Sequence, residues 1–333
     1  MPEKIVVTGG AGYIGSVVSR ELLARGYEVR VLDALLYGGT ALLGMLGDER
    51  FSFLRGDIRS AQTVTAALEG MDAVVHLAAL VGDPVCSRKP ELAKAVNLEG
   101  ALQLFDLSRQ RGVQRFLFAS TCSNYGRMAD PTSYLTEESE LRPVSLYAET
   151  KVAVEQALLS AARASETPVV TVLRFATVFG LSPRMRFDLT VNEFTMELLV
   201  KRKLTIFGEQ FWRPYIHVRD AAQAVCLALE APPAQVHGQA FNAGDTSQNF
   251  QKGTLAELVR TQIGNQCTIN RIQKAEDPRD YRVRFEKIAR ELGFRMTRTV
   301  EAGIREVIDA VSSGLISDVD HPKYRNDGER HGA

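Results

Sequence analysis

Four cysteines in 333 residues, Cys86, Cys122, Cys226 and Cys267, are too few and too scattered for a disulfide framework or paired metal-ligand spacing. No metal site is expected, and the thiols predict the reducing cytoplasm. Long apolar runs are also missing, so no segment is expected to span a bilayer. The chain enters "MPEKIVVTGG" without a charged leader and apolar signal core. Neither sign of charge is in excess, with 40 basic and 40 acidic residues, so the overall field favours neither nucleic acid nor an anionic membrane surface. Internal repeats and low-complexity tracts are absent. What remains is an ordinary globular composition, 45% hydrophobic and 24% charged, with length for two domains.

The first half alternates strand-like and helix-like segments. "KIVVTGG", "YEVRVLD", "FSFLRGD", "DAVVHLA" and "RFLFAST" read as short strands, and "PVVTVLRFATVFG" as a further one. Helices are expected from Tyr13 to Ala24, from Pro90 to Arg111 and after Tyr147. This alternation predicts an α/β fold: a Rossmann-type, doubly wound parallel sheet over residues 1–180. The rhythm loosens past Gly180. A smaller α/β lobe is expected over 181–315, with helices near 188–201 and 218–230. Some of its segments, about 212–245, are expected to return to the first domain, and "PPAQVHGQ" reads as a plain turn. Residues 316–333 are polar and read as a tail.

"VVTGGAGYIG" carries the strongest local signal. Gly9, Gly12 and Gly15, with Tyr13 and Ile14 between them, lie where a strand ends and a helix opens. Glycines there permit a sharp turn, a close backbone approach to a diphosphate and tight helix–strand packing. The helix N-terminus presents free N–H groups to the anion. Asp33 ends the second strand; its carboxylate can accept from both adenosine ribose hydroxyls and repels a 2′-phosphate, which favours NAD over NADP. Asp57-Ile58 follows the third strand, where Asp57 can accept from the adenine amino group. Small Ala78 and Ala79 after the fourth strand leave room for the cofactor. Tyr147 and Lys151, in "YAETK", stand one helical turn apart on one face.

Taken in order with Asn97, these residues make the chain resemble extended short-chain dehydrogenase/reductases. More closely it is similar to the NAD-dependent epimerase/dehydratase family of nucleotide-sugar enzymes, those of the UDP-galactose 4-epimerase type. The resemblance runs over roughly residues 4 to 310. It implies bound NAD contacted by the residues above, a nucleotide-diphosphate sugar substrate in a cleft between domain and lobe, and a homodimer through helices corresponding to 90–111 and 145–166. It makes Tyr147 the general base, with Lys151 and the nicotinamide charge expected to lower the phenol pKa. Thr121, at the end of the fifth strand, becomes the hydroxyl that bonds the reacting sugar oxygen.

The residues after Thr121 discriminate among reactions. The 4,6-dehydratases place Asp and Glu there; this chain has Cys122 and Ser123. Oxidation followed by reduction is then the expected chemistry, and a C4 epimerase the best reading. A ketoreductase or dehydrogenase and an atypical dehydratase using Cys122 are the alternatives. A silent dinucleotide-binding sensor is disfavoured because Tyr and Lys are both kept. Arg213, in "RPYIHV", corresponds to the arginine that binds the substrate diphosphate, although Pro214 replaces the family's Asp. Arg184, with Arg186, and Arg282, beside Tyr281, are further substrate candidates. Thr177 stands where relatives carry a phosphate-binding Asn. His76 and His217 read as interior packing residues.

Overall fold

The computed structural model describes residues 2–326 apart from 129, 131, 132, 265 and 278. Its main sheet contains β1 (Lys4–Thr8), β2 (Glu28–Asp33), β3 (Phe51–Arg55), β4 (Ala73–His76), β5 (Arg115–Thr121) and β6 (Val169–Phe175). Later in the chain come β7 (Thr177–Phe179), β8 (Lys203–Phe207), β9 (Trp212–His217), β10 (Gln239–Ala243), β11 (Asn249–Gln251) and β12 (Thr268–Ile272). The sheet order is β10-β6-β5-β4-β1-β2-β3, and every pairing is parallel. The strand order reverses between β1 and β4, the switch point outside whose carboxyl ends such sheets bind ligands. The expected Rossmann-type architecture is therefore present.

Period-two alternation explains the two-sided burial. Ile5, Val7, Val29, Val31, Val75, Leu117 and Leu173 pack into one core. Val6, Leu32, Val74, Phe116, Phe118, Val170 and Val172 pack into another on the opposite face. A third cluster, including Phe179, Phe194, Leu204, Ile206, Tyr215, Val259 and Ile304, is the core of the later segments. There β11-β9-β7 form one small sheet and β12-β8 another.

Two features depart from the sequence reading, and one refines it. "PVVTVLRFATVFG" is not one strand: it breaks at Ala176, whose N–H donates to Ala243 O, and β7 pairs with β9 in the small sheet. Within 212–245 the return to the main sheet is partial. β9 stays in the small sheet, helix Val218–Glu230 packs on helix Gly15–Ala24, and β10 joins the edge of the main sheet beside β6. The region read as a plain turn holds helix Pro233–Val236 and the start of β10.

The described part of the polar tail is docked. Phe187 N donates to Tyr324 O at 2.8 Å, the two rings pack edge to face, and Arg325 is buried. Its polarity hides these partners, because they come from residues more than 130 positions away. Residues 327–333 lie outside the described residues. Among the described residues, no helix is long and apolar enough to cross a membrane.

Behind the end of β5 lies a buried polar network. Glu155 and Arg174, 1% and 5% exposed, form an ion pair. Ser120 Oγ donates to Glu155 Oε2 at 2.8 Å, Arg174 Nη1 donates to the Tyr125 hydroxyl at 2.8 Å, and that hydroxyl donates to Asn242 Oδ1 at 2.7 Å. Removing one partner of such a pair strands the other charge in the interior. Glu155→Ala is expected to cost about 3–5 kcal/mol in urea unfolding; a loss below about 1 kcal/mol would show the pair to be structurally idle.

Candidate active site

The cleft at the switch point has a volume of about 670 Å³. Its floor is the glycine turn. Gly9 has φ +75°, and a Cβ there would stand 2.7 Å from Ala78 N. A Cβ on Gly15 would stand 2.1 Å from Gly9 O. Only glycine fits either position, and the compact turn leads into helix Gly15–Ala24 at the cleft. Gly9, Gly12, Tyr13, Ile14 and Gly15 all line it. The Tyr13 hydroxyl is spent on structure, donating to Gly180 O at 2.6 Å.

Asp33 lines the same wall and is locked in place. Its Oδ2 accepts from Ala11 N at 2.9 Å and its Oδ1 from Leu35 N at 2.7 Å. Burial raises its pKa, and the two N–H donors oppose that rise. Asp57, Ile58, Ala78 and Ala79 line the cleft. Asp57 is not a free acceptor, because Arg59 grips its carboxylate at 2.6 Å and holds its pKa down. Asn97 does not line the cleft. It is buried behind the wall and braces the chain after β4: its Oδ1 accepts from Leu80 N at 2.7 Å and its Nδ2 donates to Leu80 O at 2.9 Å. A cradle that only glycine can make, with a fixed carboxylate at the end of β2, fits a dinucleotide.

Ser145 caps helix Leu146–Ala164, its Oγ accepting from Ala148 N, so the helix begins one residue before Tyr147. Tyr147, Lys151 and Thr121 all line the cleft. Lys151 Nζ donates to Ala119 O at 2.9 Å and lies 4.6 Å from the Phe118 ring centre. Burial lowers the Lys151 pKa from 10.5 to about 8. Burial also pushes the Tyr147 phenol above its ordinary range, with Cys86 adding to the rise and Arg186 opposing it. Within the protein alone desolvation outweighs the nearby ammonium; the expectation that Lys151 and the nicotinamide charge together acidify the phenol concerns the NAD-bound protein.

Cys122 is corrected as well. It is 0% exposed, does not line the cleft, and donates from Sγ to Arg174 O at 3.2 Å; burial drives its thiol pKa far upward. Ser123 does line the cleft, with Oγ 3.3 Å from the Tyr281 hydroxyl. Thr177, Arg184 and Arg213 line it too, but Arg282 does not. Arg282 packs over the rings of Tyr134 and Trp212, and its neighbour Tyr281 takes the cleft position. Arg213 Nη2 bonds Asp277 Oδ2 at 2.8 Å, and Lys252 Nζ bonds the same oxygen at 3.0 Å. Burial resists ionisation of Asp277, yet Arg213 and Lys252 hold its pKa well below the carboxylate range. His76, buried, bonds Thr8 Oγ1 through Nδ1 at 2.7 Å, and His217 Nε2 meets Glu306 at 3.0 Å.

Lys252, Arg279, Glu193 and Asn326 are cleft residues that the sequence reading did not single out. Arg279 reaches Asp83 at 2.9 Å, tying the lobe to the segment after β4. None of these sits in a local motif.

The NAD-dependent epimerase/dehydratase family model matches residues 5–244, and the chain belongs to that family, with NAD as its cofactor. It is 30% identical over 328 residues to a UDP-glucose 4-epimerase of Corynebacterium glutamicum, covering 94% of this chain and 96% of that one. It is 31% identical over 323 residues to a dTDP-glucose 4,6-dehydratase of an Actinoplanes species, covering 92% and 96%. The solved UDP-glucose 4-epimerase of Thermotoga maritima, with UDP-glucose, superposes with a TM-score of 0.83 at 27% identity, covering 94% of this chain and 99% of that one.

Two outcomes test this geometry. Gly15→Ala must push Gly9 aside, so NAD affinity, read by calorimetry, is expected to fall at least about tenfold. For Lys151, the folded pKa of about 8 lies below the free value of 10.5. In that window the unfolded chain holds a proton that the folded chain lacks, so stability rises with pH. Against Lys151→Met as reference, wild type is expected to gain about 2 kcal/mol between about pH 7.5 and 10 in urea melts. A flat difference would contradict the buried ammonium.

Proposed function

We propose that this chain is an NAD-dependent nucleotide-sugar epimerase that inverts C4 through a transient keto-sugar. The observation that carries the reading is the set of side chains on the cleft around β5. Tyr147, Lys151 and Thr121 line it, whereas the two positions after Thr121 supply no carboxylate: Cys122 is sealed in the core and Ser123 is a hydroxyl. Elimination of water needs an acid and a base at adjacent sugar carbons. The dehydratase activity named for the Actinoplanes relative therefore lacks its side chains here.

In this reading Thr121 bonds the C4 oxygen and Tyr147 accepts the hydroxyl proton as C4 becomes a carbonyl. Lys151, fixed on Ala119 O, places positive charge one turn from the phenol and, with bound NAD+, favours its anion. Bound NAD supplies the hydride acceptor and then the hydride donor. Once the sugar has turned its other face, Tyr147 returns the proton. Arg213 and Lys252, already paired through Asp277, provide the positive charge that a diphosphate needs. Four free cysteines support a reducing, cytoplasmic setting. Family resemblance supports a homodimer through 90–111 and 145–166, and a division into residues 1–180 and a lobe at 181–315.

Tyr147→Phe is expected to lower turnover of a UDP-hexose by about 10²–10⁴-fold, with UDP-sugar affinity retained. Stoichiometric release of NADH with an oxidised sugar would replace the epimerase by a dehydrogenase.

A further inference from the structure

The lobe side of the cleft holds two buried polar atoms that the chain itself leaves without partners. Arg184 is 6% exposed and follows β7 by five residues. Its guanidinium carbon lies 4.2 Å from the centre of the Tyr37 ring, and its Nη2 donates to Arg325 O at 3.3 Å. Its Nε is buried with no hydrogen-bond partner. Tyr37 lies four residues after Asp33, and the charge of Arg184 reaches the Asp33 carboxylate. Arg184 therefore stands at the β2 end of the cleft, where the cradle fits the adenosine half of a dinucleotide.

Asn326 closes the same wall. Its backbone N donates to Asp188 Oδ2 at 3.0 Å, its backbone O accepts from the Tyr37 hydroxyl at 3.3 Å, and its Nδ2 donates to Val81 O at 3.4 Å. Its Oδ1 is buried and unpartnered. The contacts reach Asp188 in the lobe segment and both Tyr37 and Val81 on the Rossmann side, so this stretch straps the two across the cofactor end. An unsatisfied buried donor and an unsatisfied buried acceptor are each costly to the fold. A ligand offering an oxygen acceptor and a hydroxyl donor satisfies both.

We propose that Arg184 and Asn326 are ligands of the dinucleotide rather than of the sugar nucleotide. Arg184 donates to an oxygen of the cofactor's ribose–diphosphate stem, and the Asn326 side-chain carbonyl accepts from a ribose hydroxyl. Strapped down by Tyr37, Val81 and Asp188, Asn326 must lift before the cofactor leaves. The inference needs only that NAD binds, so it can fail while the epimerase reading stands.

The test uses full-length Arg184→Met and Asn326→Ala. NADH bound to each protein is chased with excess NAD, dissociation is followed by fluorescence, and UDP affinity is measured by calorimetry. Dissociation is expected to be at least about tenfold faster in both variants, with UDP affinity within about twofold of wild type. Weakened UDP binding with unchanged NADH release would assign Arg184 to the substrate and overturn the proposal. Should Arg184→Met fail to fold by circular dichroism, Asn326→Ala decides alone by the same two readouts.

Discussion

The hydrogen bond from Lys151 Nζ to the carbonyl of Ala119 joins the two elements on which the chemistry depends. It ties helix Leu146–Ala164 to the end of β5, so the residue four before the lysine and the residue two after the carbonyl, Tyr147 and Thr121, share one cleft. One turn further along the helix, Glu155 repeats the tie through Ser120. Two successive helical turns thus hold the same strand end, one by an ammonium and one by a carboxylate. Both charges are buried, which is costly unless each is compensated. Glu155 has Arg174; Lys151 has a carbonyl and the face of Phe118.

That asymmetry accounts for the electrostatics of the site. An incompletely paired lysine has its pKa drawn down to about 8, and the phenol beside it on the cleft has its own pushed up. Both shifts oppose charge separation before ligands arrive. The positive charge of bound NAD+ then works against desolvation instead of adding to an already ionised pair. Elsewhere on the cleft charges are paired in advance: Arg213 and Lys252 with Asp277, Arg186 with Asp188, Arg279 with Asp83. These pairs hold cations ready for an anionic ligand while the chain as a whole stays at zero net charge.

The dinucleotide half of the fold was legible because its signals are local. Glycine spacing and a carboxylate at a strand end are read within thirty residues, and the parallel sheet follows from the alternation of elements. Cys122 was readable in part: Thr121 and Ser123 share one side of the turn, and the residue between them faces the other way. The contact of Arg184 with Tyr37 and the docked stretch ending at Asn326 were not readable. Their positions depend on β7 leaving the main sheet and on contacts spanning more than 130 residues. Asp57 shows a third case, a motif residue whose carboxylate is claimed by a neighbour two positions away.

The central claim is that the carbon whose hydroxyl gives its proton to Tyr147 loses and regains the same hydrogen as hydride. Turnover of a UDP-hexose carrying deuterium at C4, in ordinary water, tests it most directly. The account predicts an inverted product that keeps the deuterium at C4 and has taken up no solvent hydrogen on carbon. Loss of that label, or solvent hydrogen appearing at C5, would contradict it.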